Sequence, residues 1–335
     1  MSAPKRQAIL VLGMHRSGTS AVTRVLNLLG ADIPGAIMPP QEDNPLGYWE
    51  PAGIVGIHSR IFSALGTSWH DPLPLPDDWF ASPQARQFAD EILEFLRGSV
   101  PNSTLFVVKD PRLCKLVPLW RDVLKRFDAE PAFILNMRHP LEVAESLQRR
   151  NRFSLEKGAL LWLLNTLYAE RTTRSGRRAI VFYEDLLQDW RAAVRRIGAE
   201  LAIRFPIEMD QASGEVEKSL LKDFRHHRHA AADIGRIGSY AEWVKAVYTH
   251  LRERGHAGLQ PADLETLDRV EAEIAAELYK LRPLLAEQAR QIAELESRSE
   301  ALDTVRHALE VKTEEAERLH DEMQRERAEA RVLLD

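Results

Sequence analysis

The sequence is poor in cysteine, which excludes two classes of site. Cys114 is the only cysteine in 335 residues. A single thiol cannot form an internal disulfide, and it cannot supply a cysteine-based zinc cluster. Chains without disulfides are typical of reducing compartments. We therefore expect a cytoplasmic protein.

Long hydrophobic runs are also missing. The first apolar run, Ala8–Leu12, is too short for the hydrophobic part of a signal peptide. No run approaches the roughly 20 apolar residues that a membrane-spanning helix needs. The sequence therefore predicts no membrane span.

An excess of positive charge is absent as well. The net charge is −5, so nothing at the level of the whole chain favours a nucleic-acid partner. Acidic residues outnumber basic ones between Leu284 and Asp335. The rest of the chain is therefore close to neutral, and its basic residues can collect around an anionic ligand.

Four short apolar runs indicate strands that are buried on both faces. Helical patterns lie between and after these runs, and this alternation predicts an α/β fold, a parallel β-sheet flanked by helices. Ligands of such sheets bind beyond the carboxyl ends of the strands. The runs are Ala8–Leu12, Leu105–Lys109, Ala132–Met137 and Ala179–Tyr183, and the helical patterns are Ser20–Leu29, Gln84–Leu96, Leu116–Phe127, Leu141–Arg150, Leu155–Arg174 and Trp190–Leu201.

The end of the chain has a different character. No glycine or proline follows Pro283, and Leu295, Leu302 and Leu309 recur every seven residues. The partner positions of this seam are mostly polar, so the pattern fits either a weak coiled coil or a long solvated helix. We expect one domain over residues 1–255 and a helical tail over 256–335, with a candidate coiled coil from about 283. Such a tail would self-associate or bind a partner helix.

A phosphate-binding loop follows the first strand. Gly13-Met14-His15-Arg16-Ser17-Gly18-Thr19-Ser20 stands between a strand and a helix, where loop amides and the helix dipole attract an oxyanion. The glycine spacing fits the Walker A pattern, but Thr19 replaces its lysine. That loss argues against a triphosphate ligand. Arg16 offers a planar donor suited to a phosphate or sulfate group.

This loop resembles that of bacterial members of the sulfotransferase superfamily, which reads G-x-x-R-S-G-T-[ST]. The resemblance spans roughly residues 8–183. It implies a P-loop-type fold and 3′-phosphoadenosine 5′-phosphosulfate (PAPS) as donor of a sulfuryl group, with no metal. It also implies that His15, Arg16, Ser17, Gly18, Thr19 and Ser20 hold the 5′-phosphosulfate.

A second anion site is predicted after the third strand. Arg138 lies at the strand end, Pro140 opens a helix, and Ser146 lies about two turns into that helix. An arginine and a hydroxyl that converge can clamp a second phosphate. The pattern resembles the 3′-phosphate site of the superfamily. A 3′,5′-bisphosphate nucleotide needs two such sites, whereas a triphosphate needs one.

Lys109 and Glu50 are the candidate catalytic residues. Lys109-Asp110-Pro111 resembles a segment of tyrosylprotein sulfotransferases whose lysine assists the leaving group; a lysine paired with Asp110 at a strand end is the structural alternative. Related enzymes place a catalytic glutamate in the region of Glu50, and two preceding aromatic residues could raise its pKa. Alternatively, Glu50 only interacts with the dipole of a helix that begins near Pro51.

Four other residues compete with Glu50 for the role of base, and the acceptor stays open. The competitors are Glu42, Asp43, His58 and His70. Two irregular aromatic segments, Ile33–Trp49 and Thr67–Pro83, are the expected acceptor pocket. The acceptor hydroxyl or amine could belong to a carbohydrate, lipid, peptide or small molecule. Alternative functions are a P-loop kinase or nucleotide hydrolase with a degenerate loop, and a non-catalytic coiled-coil scaffold.

The remaining candidates have structural interpretations. His226, His227 and His229 lack acidic or cysteine partners at ligand spacing, so they favour a basic surface or a cofactor-capping loop over a metal site. Cys114 lies beside helical apolar residues and is expected to be a small core residue.

Overall fold

A computed structural model describes residues 5–41, 44–221, 229, 231–256 and 258–332. The chain forms two compact units, Met1–Ala276 and Glu277–Asp335. Glu42, Asp43, His226 and His227 lie outside the described residues.

The first unit is built on a four-stranded parallel sheet in the order β2-β1-β3-β4. Its strands are buried along most of their length because helices cover both faces, as the apolar runs predicted. The α/β fold is thereby confirmed. The strands are β1 (Arg6–Leu12), β2 (Leu105–Lys109), β3 (Ala129–Met137) and β4 (Arg177–Phe182).

Helices connect the strands and extend beyond them. Each predicted helix is present with ends shifted by up to three residues. The helix expected near Pro51 begins at Ala52. The helices are α1 (Thr19–Leu28), α2 (Ala52–Ala64), α3 (Pro83–Ser99), α4 (Leu113–Arg126), α5 (Pro140–Asn151), α6 (Leu155–Thr173), α7 (Tyr183–Gln188), α8 (Trp190–Leu201), α9 (Met209–Leu221), α10 (Ala241–Arg254) and α11 (Pro261–Val332), with 3₁₀ helices at Asp77–Ala81 and Ala231–Ile237.

The sheet aligns the ends of the strands that precede the predicted motifs. In register, Val11 of β1 pairs with Lys109 of β2, and Leu12 pairs with Leu135 of β3. The segments that follow β1, β2 and β3 therefore leave the sheet along one edge. Parallel pairing thus gathers residues that are more than 100 positions apart in sequence.

Helix α11 begins inside the first unit. Leu267, Val270 and Ile274 of its first turns are fully buried there. Further along α11, Leu295, Leu302 and Leu309 are 62%, 69% and 66% exposed. The domain boundary near residue 255 and the coiled coil stay predictions. In the part of the chain that the structure describes, no helix combines the length and apolarity needed to cross a membrane.

Candidate active site

The loop after β1 has the backbone of an anion cradle. Gly18 adopts φ 85° and precedes the first turn of α1, whose leading amides have no partner inside the helix. Any side chain at Gly18 would overlap the ring of Tyr183, and one at Gly13 would strike the carbonyl of Asn136. Arg16 has φ 71°, a conformation that costs a non-glycine residue free energy and is common at binding sites.

Two polar atoms of this loop are buried without a partner among the described residues. They are the Ser17 hydroxyl and Nε2 of His15. Burial, assisted by the nearby Arg150, lowers the pKa of His15 well below its usual value, so the imidazole is neutral. Asn136 donates from Nδ2 to the Ser17 carbonyl at 2.6 Å and supports the loop from behind. A buried donor without a partner is suited to a ligand oxygen.

The two predicted anion sites interlock. Arg16 donates from Nε to the Ser146 hydroxyl at 2.9 Å, and Arg138 donates from Nη1 to the Arg16 carbonyl at 3.2 Å. Arg138 also donates to Glu142 at 2.8 Å, and its guanidinium lies over the Tyr183 ring. The structure therefore places Arg138 and Ser146 directly beside the first loop.

Glu50 and Lys109 form a buried ion pair. Nζ of Lys109 lies 2.6 Å from Oε1 of Glu50 and 3.2 Å from the Ser20 hydroxyl, which in turn donates to the Tyr48 carbonyl. Burial raises the pKa of Glu50, against the opposing effect of Lys109. Burial also lowers the pKa of Lys109, against the opposing effect of Glu50. Lys109 is thus paired with Glu50 and not with Asp110, the partner that the structural alternative had proposed.

His58 is not available as a base. Its Nδ1 lies 2.8 Å from Asp110, and its Nε2 accepts a hydrogen bond from the Trp120 indole at 2.9 Å. The ring is fully buried, so both nitrogens are committed to protein partners. Of the competitors of Glu50, Glu42 and Asp43 lie outside the described residues.

His70 belongs to an aromatic cluster beside the loop. The distance between ring centroids is 4.2 Å from Trp69 to His15, 5.2 Å from Trp69 to His70 and 5.8 Å from Trp69 to Phe153. The segment is anchored to α4, because Lys115 donates to the carbonyls of Asp71 and Leu73 at 2.6 and 2.9 Å. The second irregular segment, Thr67–Pro83, therefore lies against the loop after β1 through the contact of Trp69 with His15.

One cavity joins residues of all the predicted motifs. Ser17 and Ser146 are buried and are not among its lining residues. Several lining residues lie outside the motifs that the sequence predicts. Arg150 follows Ser146 by four positions and so shares its helix face, and Tyr183 directly follows β4; both signals were present in the sequence. The lining residues are His15, Arg16, Gly18, Thr19, Ser20, Ala21, Asn44, Tyr48, Glu50, Lys109, Pro111, Arg138, Arg150 and Tyr183.

A second cavity of about 240 Å³ adjoins the first. Ser20, Ala21 and Asn44 line both cavities, and the second continues between α1, Trp49 and α9. The Arg24 guanidinium lies 4.2 Å from the centroid of the Trp49 ring. The two cavities together offer room for a ligand that extends beyond its phosphate groups.

The other candidate residues have structural roles. Among the described residues, no group of three or more His, Cys, Asp or Glu side chains is placed to hold a metal ion. His229 lies 3.0 Å from Glu145 and 3.7 Å from Asp233. Cys114 is fully buried, and its sulfur also accepts a hydrogen bond from the Gly13 amide at 3.2 Å.

The solved structures that resemble this chain include three bacterial sulfotransferases. A sulfotransferase domain of the olefin synthase of Synechococcus PCC 7002 is 19% identical, with 74% of this chain and 97% of that chain covered and a TM-score of 0.41. STF9 of Mycobacterium avium is 15% identical (72% and 77% covered, TM-score 0.38), and STF1 of Mycobacterium tuberculosis H37Rv is 20% identical (72% and 76%, TM-score 0.37).

A search of curated proteins finds no match to the chain. A model of the sulfotransferase family matches residues 8–206, more than half of the sequence. The match includes the phosphate-type loop, Glu50, Lys109, Arg138 and Ser146. The chain belongs to the sulfotransferase family.

Proposed function

We propose that this chain transfers a sulfuryl group from PAPS to an acceptor hydroxyl or amine. One observation carries the proposal. Two anion-binding elements, the loop after β1 and Arg138 after β3, meet at one cavity that also contains a buried Glu50–Lys109 pair. A 3′,5′-bisphosphate nucleotide has two separate anionic ends, so it matches this arrangement.

The sulfate end fits the loop after β1. Residues of this loop line the cavity, and the amides at the start of α1 point out of the helix. Arg16 adds a planar cation. These donors offer an oxyanion the charge that magnesium supplies in many phosphate sites, so the proposed reaction uses no metal.

The 3′-phosphate fits beside Arg138. Arg150 lines the same cavity, and Ser146 holds Arg16 in place from behind. The adjoining cavity along α1 shares Ser20, Ala21 and Asn44 with the first cavity and offers space for the nucleoside. Glu142 neutralises Arg138 in this structure, so we expect the arginine to exchange part of that contact for the phosphate.

The buried Glu50–Lys109 pair supplies the groups that carry out the proposed reaction. In the proposed reaction, a bond forms between the acceptor oxygen or nitrogen and sulfur while the bond from sulfur to the 5′-phosphate oxygen breaks. Glu50 takes the acceptor's proton, and the Lys109 ammonium stabilises the charge that develops on the departing phosphate. Their 2.6 Å contact keeps a base and a cation together next to the cradle.

Calorimetry with nucleotides tests the two-site geometry. We expect adenosine 3′,5′-bisphosphate to bind far more tightly than ADP or AMP, because only the bisphosphate reaches both anion sites. Equal affinity for the three nucleotides would contradict the proposal.

The sulfuryl-transfer assay separates this function from phosphoryl transfer. Labelled sulfate should pass from PAPS to an acceptor fraction of a lysate in the presence of a chelator. Loss of transfer that magnesium restores would instead favour a kinase or nucleotide hydrolase. Tight donor binding without turnover across acceptors would favour a scaffold role.

A further inference from the structure

A chain of hydrogen bonds lies directly behind Lys109. Asp110, the next residue, is fully buried and accepts from the Arg112 amide at 2.9 Å and from the Arg112 guanidinium at 3.1 and 3.2 Å. It also lies 2.8 Å from Nδ1 of His58, which comes from α2. Trp120 of α4 completes the chain through its 2.9 Å bond to Nε2 of His58.

Trp120 determines where the His58 proton lies. An indole N–H can only donate, so Nε2 of His58 must be the acceptor. The ring proton of a neutral imidazole then lies on Nδ1 and is donated to Asp110. The carboxylate therefore keeps its negative charge although it is fully buried. Burial alone would raise the pKa of Asp110, but the bond from His58 and the neighbouring Arg112 lower it well below its usual range.

We propose that Asp110 is a positioning residue for the Lys109–Glu50 pair, and that Trp120 and His58 serve to hold its charge in place. The inference rests on the proposed function. A buried carboxylate is costly to desolvate, and stability alone does not require one at this position. Its place next to Lys109 in the turn Asp110–Arg112 gives it a direct effect on the lysine and, through space, on Glu50.

The expected effect has a defined sign. The negative charge of Asp110 raises the pKa of Glu50 and also that of Lys109. Removing this charge should lower both pKa values, so both limbs of the pH–rate profile should move towards lower pH. The titratable and charged groups that face Asp110 and the ion pair are His15 of the first loop, His58 of α2, Arg112 of the turn, Cys114 of α4 and Arg150 of α5.

The first test is Asp110→Asn. We expect both limbs of the kcat profile to shift to lower pH by about one unit, since a neighbouring charge typically changes a pKa by about one to three units. The KM for the donor should change little. A lowered kcat with both limbs unmoved would show that Asp110 has a structural role alone.

Trp120→Phe keeps the inference testable if Asp110→Asn does not fold. The substitution keeps an aromatic ring but removes part of the buried indole and the N–H that donates to Nε2 of His58, so the position of the ring proton is no longer set by Trp120. We expect kcat to fall roughly fivefold, the rate equivalent of one neutral hydrogen bond, with limb shifts in the same direction as for Asp110→Asn. Trp162→Phe is the matched control, because Trp162 is equally buried but lies in α6. Equal effects of the two substitutions would overturn the role of Trp120.

A direct titration separates this inference from the proposed function. NMR of the Glu50 carboxyl and the Lys109 amine reports both pKa values without any turnover. If both fall in Asp110→Asn while neither protein transfers sulfate, the role of Asp110 stands and the sulfotransferase proposal fails. If the wild-type protein transfers sulfate and neither pKa moves, the inference is wrong.

Discussion

Glu50 and Lys109 are two residues whose protonation states jointly control the proposed reaction. Burial raises the pKa of Glu50 from 4.5 and lowers that of Lys109 from 10.5. The base must be ionised and the cation charged, so the rate rises with pH through the first value and falls through the second. We expect a bell-shaped pH profile of kcat, whose two limbs lie closer together than the ordinary pKa values of 4.5 and 10.5. A rate that stays constant down through pH 4.5 would contradict the role of Glu50.

Substitution of Glu50 tests the base directly. Glu50→Gln keeps the shape of the side chain but cannot accept a proton, and loss of a general base typically lowers kcat by about 10²–10⁴-fold. Calorimetry should show nearly unchanged binding of adenosine 3′,5′-bisphosphate. Glu91→Gln, a half-exposed glutamate of α3, is the control. If Glu50→Gln turns over at the wild-type rate, Asp43 and His70 become the next candidates.

Arg138 should act on binding and not on chemistry. A charge-assisted hydrogen bond is worth about 1.5–3 kcal/mol, so Arg138→Ala should weaken bisphosphate binding roughly ten- to more than a hundred-fold. The turnover number at saturating PAPS should stay close to that of the wild-type protein, because the 3′-phosphate is remote from the reacting sulfur. Unchanged donor affinity would remove the 3′-phosphate assignment.

At the scale of elements, α5 presents two adjacent arginines to different surroundings. Arg150 lines the cavity, whereas Arg149 does not. A partly exposed charge contact is worth up to about 1 kcal/mol, so Arg150→Ala should weaken bisphosphate binding by up to roughly fivefold. Arg149→Ala should leave it unchanged at the same ionic strength. Equal losses would mean that only the general positive potential of the helix matters.

The segment that carries Trp69 is held to α4 by Lys115. Burial lowers the pKa of Lys115 to about 8 from 10.5. Between these two values the unfolded chain binds more protons than the folded one, so the contribution of Lys115 to stability rises with pH. Lys115→Met should be destabilised by about 1–3 kcal/mol at neutral pH, because two carbonyls lose their donor. The difference in the free energy of unfolding between Lys115→Met and the wild-type protein, measured by urea denaturation, should increase above pH 8. A difference that stays constant with pH would contradict this.

At the scale of the whole molecule, two truncations test where the first unit ends and what the tail does. A chain ending at Arg282 retains Leu267, Val270 and Ile274, whereas one ending at Gly255 loses them. Each fully buried aliphatic side chain contributes about 1.5–3 kcal/mol, so the shorter chain should unfold at lower urea concentration. Equal stability would support the boundary near residue 255.

Light scattering on the longer truncation tests self-association. We propose that the tail pairs with a second copy through Leu295, Leu302 and Leu309, which are exposed in the single chain. The polar partner positions make such pairing weak, so the dimer should appear only at high protein concentration. The same mass for the full chain and the chain ending at Arg282 would remove this proposal.

The fold class and the elements that carry the site follow from local features of the sequence. Buried parallel strands are apolar on both faces and short, so their runs stand out between helical patterns, and Leu105–Lys109 and Trp190–Leu201 were predicted with their observed bounds. The loop Gly13–Ser20 was recognisable because glycine spacing and a strand-to-helix setting are local properties.

Which of these residues touch depends on how the helices and the sheet pack together. The pairing of Glu50 with Lys109, the bond between Arg16 and Ser146 and the Trp120–His58–Asp110 chain each join segments dozens of positions apart. His58 shows the physical reason. Its position in α2 fits a catalytic base and a buried hydrogen-bond donor equally well. Its two ring nitrogens are occupied by Trp120 and Asp110 only because α4 and the turn after β2 pack against α2. Side-chain availability depends on such long-range packing, which no local pattern encodes.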